Sequence, residues 1–369
     1  MLYYLAELIN AKFAPPGFDV FRFLTFRSAV AAVTSLLFSF WIGPKILTLL
    51  KRKQIGEAKK IDGPTFHYSK AGTPTMGGLI ILFSGLVPVL LWGDLKNIYV
   101  QLILFATIAL GLLGFLDDYL KVVKKYKDGL VAKYKLIGQV IVGIVVGLVI
   151  YNHSTFEGIA TITTIPFLKN YQFDFSFFYI PIIIFIITAT SNAVNLTDGL
   201  DGLATGTVGI VVFTLGIIAY ISGNIEIARY LNIIYLKGSG ELVVFCSAIA
   251  GATLGFLWYN SHPAQVFMGD TGSLALGGAI GVLSILVKKE FLLPLLGGIF
   301  FAETVSVIIQ RYYFKYTRIK YGQGKRVFLM APLHHHFEMK GIPEEKIVIR
   351  FYIIAILLAI MTLATFKIR

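Results

Sequence analysis

The sequence predicts an all-α polytopic membrane protein: ten transmembrane helices in one domain spanning 1–369, both termini extracytoplasmic, and the polar, chemistry-bearing cleft on the cytoplasmic face. Two features of composition and one of pattern carry that prediction. Hydrophobic residues make up 56% of the 369 and charged residues only 14%, with a mean hydropathy of +0.77, whereas soluble domains hold about 25% charged residues. Twenty acids and thirty-three bases cannot wrap a soluble core built from thirty Phe and long Leu/Ile/Val runs, so lipid is the solvent for most of the chain. The pattern is a recurrence of apolar stretches near the roughly 20 residues needed to cross about 30 Å of hydrocarbon.

Ten such stretches follow one another, at 22–50, 74–92, 98–119, 135–151, 177–194, 203–222, 241–259, 272–288, 291–313 and 347–366. The first and ninth are long enough to tilt or kink, and Pro294 with Gly297 and Gly298 places a bend near the start of the ninth. The first twenty residues lack the basic, apolar and small-residue succession of a cleavable signal, so the mature chain is expected to begin at Met1. Alternate loops then differ in charge. Those at 51–73, 120–134, 195–202, 260–271 and 314–346 hold Lys51, Arg52, Lys53, Lys59, Lys60, Lys121, Lys124, Lys125, Lys127, Lys320, Lys325 and Arg326; the opposite set holds Lys96, Lys169, Arg229, Lys237, Lys288 and Lys289. By the positive-inside rule the first set is cytoplasmic, which accounts for the net charge of +13 without nucleic acid as a partner. On the outer side, 152–176 has the turn spacing of a short β-hairpin and 223–236 that of an amphipathic surface helix. The single Cys246 excludes a disulfide framework and a thiolate metal site, and no internal repeat suggests a transporter fold.

Chemistry is concentrated at the cytoplasmic mouths. Asp117 and Asp118 end the third span, with Lys121 placed to pair with either; adjacent carboxylates bind Mg²⁺ through oxygen and leave positions for water and phosphate. The following Tyr-Leu-Lys lacks the second acidic arm of a DDxxD motif, which removes support for prenyl-diphosphate synthases. In the stretch 192–204, Asn195, Asp198 and Asp201 recur every three residues, which on a helical turn places them on one face, with Gly199 and Gly202 allowing close approach. In 260–273, Asp270 stands where it would cap the eighth span or take a metal, the helix N-terminus suits phosphate, and Phe267 offers a stacking face. His334, His335 and His336 are consecutive and cannot converge on one metal from a regular helix or strand, so phosphate contact and proton transfer suit them better than zinc. Ahead of the second span, Thr73 reads as an N-cap with Pro74 in the first turn, and Lys70 and Thr75 are candidate donors to a diphosphate.

TPTMGG at 73–78, the Asp117-Asp118 pair, NAVNLTDGLDGLA at 192–204, FMGDTGS at 267–273 and PLHHHFE at 332–338, in this order, resemble the phospho-N-acetylmuramoyl-pentapeptide transferases, within the polyprenyl-phosphate sugar-1-phosphate transferase superfamily. The resemblance covers essentially the whole chain and meets no departure at a motif position. It implies a dimeric enzyme of the bacterial plasma membrane that joins UDP-N-acetylmuramoyl-pentapeptide to undecaprenyl phosphate, releasing UMP, with Mg²⁺ required. It further implies that Asp270 is the principal metal ligand. Asp117 and Asp118 would be further ligands or the acceptor of the lipid phosphate's proton, an aspartyl nucleophile being the competing mechanism. Carried over by position, Asn195, Asp198, Asp201, Asn260, Phe267 and Gln310 line the uridine and sugar pocket. Lys70, Thr75, Lys133, His334, His335 and His336 meet phosphates or the peptide-bearing sugar, with His334 grouped among the catalytic residues. A long apolar groove for the polyprenyl chain is expected along the ninth span. Two alternatives remain: a polyprenyl-phosphate N-acetylhexosamine-1-phosphate transferase, against which the PLHHHFE loop counts, and a membrane transporter, for which only Glu303 looks midmembrane.

Overall fold

The computed structural model describes residues 1–13, 15–53, 72–126, 129–168 and 171–367; Lys59, Lys60, Lys70, Lys127 and Lys169 lie outside them. The described chain is helical apart from one small hairpin. Its helices are α1 (Leu2–Phe13), α2 (Leu24–Arg52), α3 (Gly78–Trp92), α4 (Ile98–Val122), α5 (Ala132–Asn152), α6 (Tyr179–Thr197), α7 (Leu203–Gly223), α8 (Ile225–Leu231), α9 (Leu242–Asn260), α10 (Gly269–Leu286), α11 (Leu293–Leu296), α12 (Gly298–Tyr321), α13 (Leu333–Met339) and α14 (Glu344–Ala364). Eight of them, α2, α4, α5, α6, α7, α9, α10 and α14, are long and apolar enough to cross a membrane. A ninth is the pair α11 and α12, which meet at 82°, the bend expected from Pro294 and the two glycines. The remaining expected span is α3, apolar but only 15 residues long.

The core is built around α10, whose residues from Thr271 to Leu286 are all buried. A helix apolar on every side must be enclosed by others, and α4 and α6 lie along it, with α3 and α7 completing the surround. Small residues bring the backbones close, as membrane helices require when lipid gives no hydrophobic drive to association. A Cβ on Gly114 of α4 would collide with the carbonyl of Asp270, and one on Gly78 with the backbone of Gly272. A second layer packs α2 against α9 and α9 against α7. The Arg27 guanidinium donates to both carboxylate oxygens of Glu241, at 2.8 and 2.5 Å, tying the start of α2 to the turn before α9.

The N-terminal helix α1 has no counterpart among the predicted elements. Its α-amino group donates to the carbonyls of Leu90 and Leu91, at 2.5 and 3.0 Å, so a positive charge meets the carbonyl end of α3. The hairpin expected within 152–176 is present: β1 (Ile162–Thr164) pairs antiparallel with β2 (Gln172–Asp174), Thr163 opposite Phe173. The surface helix expected over 223–236 is shorter, α8, opened by the Asn224 side chain accepting from the N–H groups of Glu226 and Ile227. Buried Glu290 accepts hydrogen bonds from Thr163 and Tyr179, and Lys288 donates to the Ala160 carbonyl at 2.6 Å, fixing the hairpin to the far end of α10.

Candidate active site

Four helix ends and one loop converge opposite that hairpin. Asp117 and Asp118 close α4, Lys135 stands in the first turns of α5, Asn195 in the last turn of α6, and Asp270 in the first turn of α10. One oxygen from each of the three aspartates lies within 4.8 Å of the others. Carboxylates so close repel unless cations intervene, and two do. Lys121 pairs with Asp117 and, at 3.3 Å, with Asp270, while Lys135 lies 2.9 Å from Asp117 and 2.5 Å from Asp270. The Asn195 amide adds a bond to Asp270 Oδ1 at 2.9 Å and one to Ser273 Oγ at 2.8 Å. Three negative charges against two positive leave a net charge of −1 in this cluster, the balance of a cation site.

The three carboxylates are not equivalent. Asp118 Oδ1 accepts from the N–H of Asp270 at 3.1 Å, and Oδ2 from the N–H and hydroxyl of Thr271 at 2.8 and 2.6 Å. It therefore caps α10 from a different helix, one of the two roles that the sequence left open for Asp270. Asp270 is thus left to face Lys121, Lys135 and Asn195. Asp117 is fully buried and accepts from Leu130 N–H at 2.7 Å on Oδ1; its Oδ2 touches both ammonium groups without a well-directed hydrogen bond. An all-oxygen donor set with one such buried oxygen fits a hard divalent cation such as Mg²⁺, with Asp117 and Asp270 as the freer ligands.

Thr75 belongs to the same place: a Cβ on Gly269 would lie 2.9 Å from its hydroxyl and 2.7 Å from Asp118 Oδ2. Its segment is not the helical turn that Thr73 and Pro74 suggest. The Pro74 carbonyl accepts from Phe267 N–H at 2.8 Å, and the N–H groups of Gly77 and Gly78 donate to the carbonyls of Phe267 and Met268. Backbone pairing with the loop before α10 wins over an early helix start, so α3 begins only at Gly78. Phe267 itself is half-exposed beside these contacts.

The turn after α6 does not keep its three polar residues on one face. The helix ends at Thr197, Asp198 takes φ −78° and ψ 53°, and Gly202 takes φ +81°, so the three-residue spacing is unwound. Asn195 reaches the aspartates, while Asp201 turns to the loop 261–266, accepting from Ala264 N–H at 3.0 Å and lying 3.1 Å from His262 Nδ1. The Asp201 N–H donates to Glu344 at the start of α14 at 2.6 Å, and His262 lies 3.2 Å from Glu345. Between these ends, Gly199 carries His334: a Cβ there would collide with the imidazole. His334 is buried, and α13 that bears it is anchored by Glu303 of α12, whose carboxylate accepts from the N–H groups of Leu333 and His334 at 2.6 and 3.2 Å. Glu303 is thereby bound to the histidine segment, and the one sequence feature that favoured a transporter has a structural partner.

The three histidines diverge, as expected for consecutive residues. His335 Nδ1 lies 2.6 Å from Glu338, and His336 Nδ1 accepts from Leu329 N–H at 3.1 Å, which leaves its Nε2 as the donor. Burial, with the Lys340 ammonium adding to it, holds the His336 pKa below the usual histidine value. Asn260 and Gln310 are satisfied within the protein. Asn260 accepts from Thr205 at 2.8 Å and donates to the Val266 carbonyl at 2.9 Å; Gln310 clasps the backbone of Val327 and Phe328. In these positions they shape the loops on either side of the site.

Lys133 stands apart from the aspartates. It is exposed and makes no ion pair among the described residues, whereas Lys135, two residues on, holds the aspartates together. The signal was available: Lys135, Gln139, Val142 and Val146 continue one helical stripe of α5, the last three of them buried, and a two-residue step rotates Lys133 about 200° away from it. Lys135→Ala is expected to reduce turnover about a hundredfold by removing the charge that holds Asp117 and Asp270 together. Steady-state kinetics on the purified variant checks this.

A polytopic helical bundle with an acidic, lysine-neutralised cluster at one end defines the class: an integral-membrane protein equipped for phosphate chemistry. Comparison with known proteins narrows the class. The pattern of glycosyl transferase family 4 matches residues 100–288, and phospho-N-acetylmuramoyl-pentapeptide-transferase signature 1 matches 70–82. The chain is 54% identical to the phospho-N-acetylmuramoyl-pentapeptide-transferase of Pelodictyon phaeoclathratiforme over 369 residues, 54% to that of Chlorobium limicola over 369, and 51% to that of Salinibacter ruber over 385, covering all of both chains each time. The chain belongs to the phospho-N-acetylmuramoyl-pentapeptide-transferase family and is a membrane-embedded transferase.

Proposed function

We propose that the protein transfers phospho-N-acetylmuramoyl-pentapeptide from UDP-N-acetylmuramoyl-pentapeptide to undecaprenyl phosphate, giving lipid I and UMP, the first membrane step of peptidoglycan synthesis. The observation that carries this reading is the aspartate and lysine cluster at the convergent ends of α4, α5, α6 and α10 in a chain of this family. A lipid phosphate oxygen attacks the β-phosphorus of the donor, the bond from that phosphorus to the bridging oxygen breaks, and the α-phosphate leaves as UMP. Lys121 and Lys135 meet the phosphate oxygens on which charge accumulates. Asp117, buried and unable to disperse its charge into water, accepts the proton of the lipid phosphate as it attacks. Attack by the same carboxylate on the donor, giving a covalent aspartyl intermediate, is the competing mechanism. Asp118 is a positioning residue, holding α10 and therefore Asp270 in place. Asp270 and Asp117 would hold Mg²⁺, which when bound polarises the diphosphate and neutralises the developing charge. His334 and His336, on the helix resting against Gly199, are assigned to the sugar and peptide end and Thr75 to the phosphates; Asp198, and Lys70 outside the described residues, are assigned further polar contacts from their motif positions alone.

In the membrane, the reading adds ten crossings with α3 among them, both termini outside, the aspartates facing the cytoplasm of a bacterial plasma membrane, and a homodimer. The basic loops flanking the aspartates support the orientation. The test is UMP release by detergent-purified protein given the muramoyl-pentapeptide donor, undecaprenyl phosphate and Mg²⁺, beside UDP-N-acetylglucosamine. Release that needs both lipid and metal, from the muramoyl donor alone, is the expected result. Release only from the second donor would assign an N-acetylhexosamine-1-phosphate transferase, and substrate movement into proteoliposomes without UMP would assign a transporter.

A further inference from the structure

We propose that the end of the bundle opposite the aspartates carries a second anion site, one that takes the phosphate of an anionic phospholipid headgroup. A cavity of about 510 Å³ opens there between the start of α4, the end of α5 and the loop before α9. Its lining includes Lys96 and Lys237, 141 residues apart in sequence, and no carboxylate. The two loops that bear them are joined by the Asn97 amide, which donates to the Gly238 carbonyl at 2.9 Å. Neither ammonium has an ion-pair partner among the described residues, and both side chains are exposed. This is unexpected in a loop set with so few basic residues: two of them are brought to one cavity.

An imidazole also donates. His153 Nδ1 accepts from the Thr155 N–H at 3.2 Å, so in the neutral ring the proton sits on Nε2. Tyr99 lines the same cavity with its hydroxyl closed off from solvent, so it walls the site rather than donating into it. Two ammonium groups and an imidazole N–H together match a phosphate, and the volume leaves room for the glycerol attached to it. The cavity also lies where α4 and α5 emerge from the apolar layer, the level at which headgroup phosphates sit. Along α4 the site is about 28 Å from Asp117, so it is distinct from the transferase cluster.

The experiment is native mass spectrometry of the purified full chain titrated with phosphatidylglycerol or phosphatidylcholine. The comparison is between the parent, a Lys96→Gln and Lys237→Gln double variant, and Arg229→Gln, an exposed residue at the same end. The expected result is preferential retention of phosphatidylglycerol by the parent and by Arg229→Gln. The double variant should bind it about 30-fold more weakly, roughly fivefold for each lysine. Equal retention by the double variant, or no preference over phosphatidylcholine, would overturn the site. Displacement of phosphatidylglycerol by millimolar inorganic phosphate would assign the cavity to free phosphate and overturn the lipid.

Discussion

Asp270→Asn is expected to lower UMP release by about three orders of magnitude, in line with loss of a group that holds a catalytic cation in a water-poor site. The side chain keeps its size, and the Asn195 contact has an oxygen still to meet. Asp118 continues to cap α10 through the backbone of residues 270 and 271, so the helix stays where it is. What is lost is the negative charge that Lys135 and Lys121 bridge to Asp117. The measurement pairs UMP release across a Mg²⁺ titration with thermal unfolding in the same detergent. Unfolding within a few degrees of the parent, with the rate deficit persisting at saturating metal, is the expected pair. A variant that retained more than about a tenth of the parental rate would remove Asp270 from the centre of the mechanism.

The second large effect is expected from a residue with no side chain. Gly114→Ala places a methyl against the carbonyl of Asp270, backbone on backbone, where no rotamer change can make room. Either α4 moves away from α10, the helix it packs against most closely, or the first turn of α10 shifts with Asp270 on it. The expected cost is about 3 kcal/mol of stability, the upper range for overpacking a tight core, together with loss of most activity. Leu112→Ala, at a lipid-facing position 58% exposed on the same helix, is the control and should change stability by less than about 0.5 kcal/mol. Thermal unfolding in detergent and UMP release on both variants decide it. An unchanged Gly114→Ala would mean that the two helices are not held at this distance.

The same contrast shows how far the site was legible. The carboxylates could be singled out because charge is scarce and expensive in an apolar chain, so acids clustered at helix mouths stand out. Their division of labour could not be read. Asp118 looks like a metal ligand beside Asp117, and only the arrival of α10 makes it a helix cap. Lys133 and Lys135 are equally basic on paper, and the rotation of α5 against α4 decides which one meets the aspartates. Asn260 and Gln310, assigned to the substrate pocket by resemblance, also have hydrogen bonds that close on neighbouring loops. Glu303 looked like an isolated membrane charge until the backbone of α13 was found to donate to it.

By itself, then, the sequence determined that the chain lives in lipid, where its apolar stretches lie, which loops carry the positive charge, and which family its motifs belong to. These follow from hydrophobic length and charge counts, which are additive along a chain and need no partner. The tertiary structure alone decided which carboxylate caps and which remains open, which lysine neutralises them, and how one seven-residue turn, 195–201, serves the aspartates, His334 and His262 in succession. Those outcomes depend on the distance and rotation between helices distant in sequence. A hydrogen bond or an ion pair changes its role within about 1 Å, a scale on which periodicity is silent.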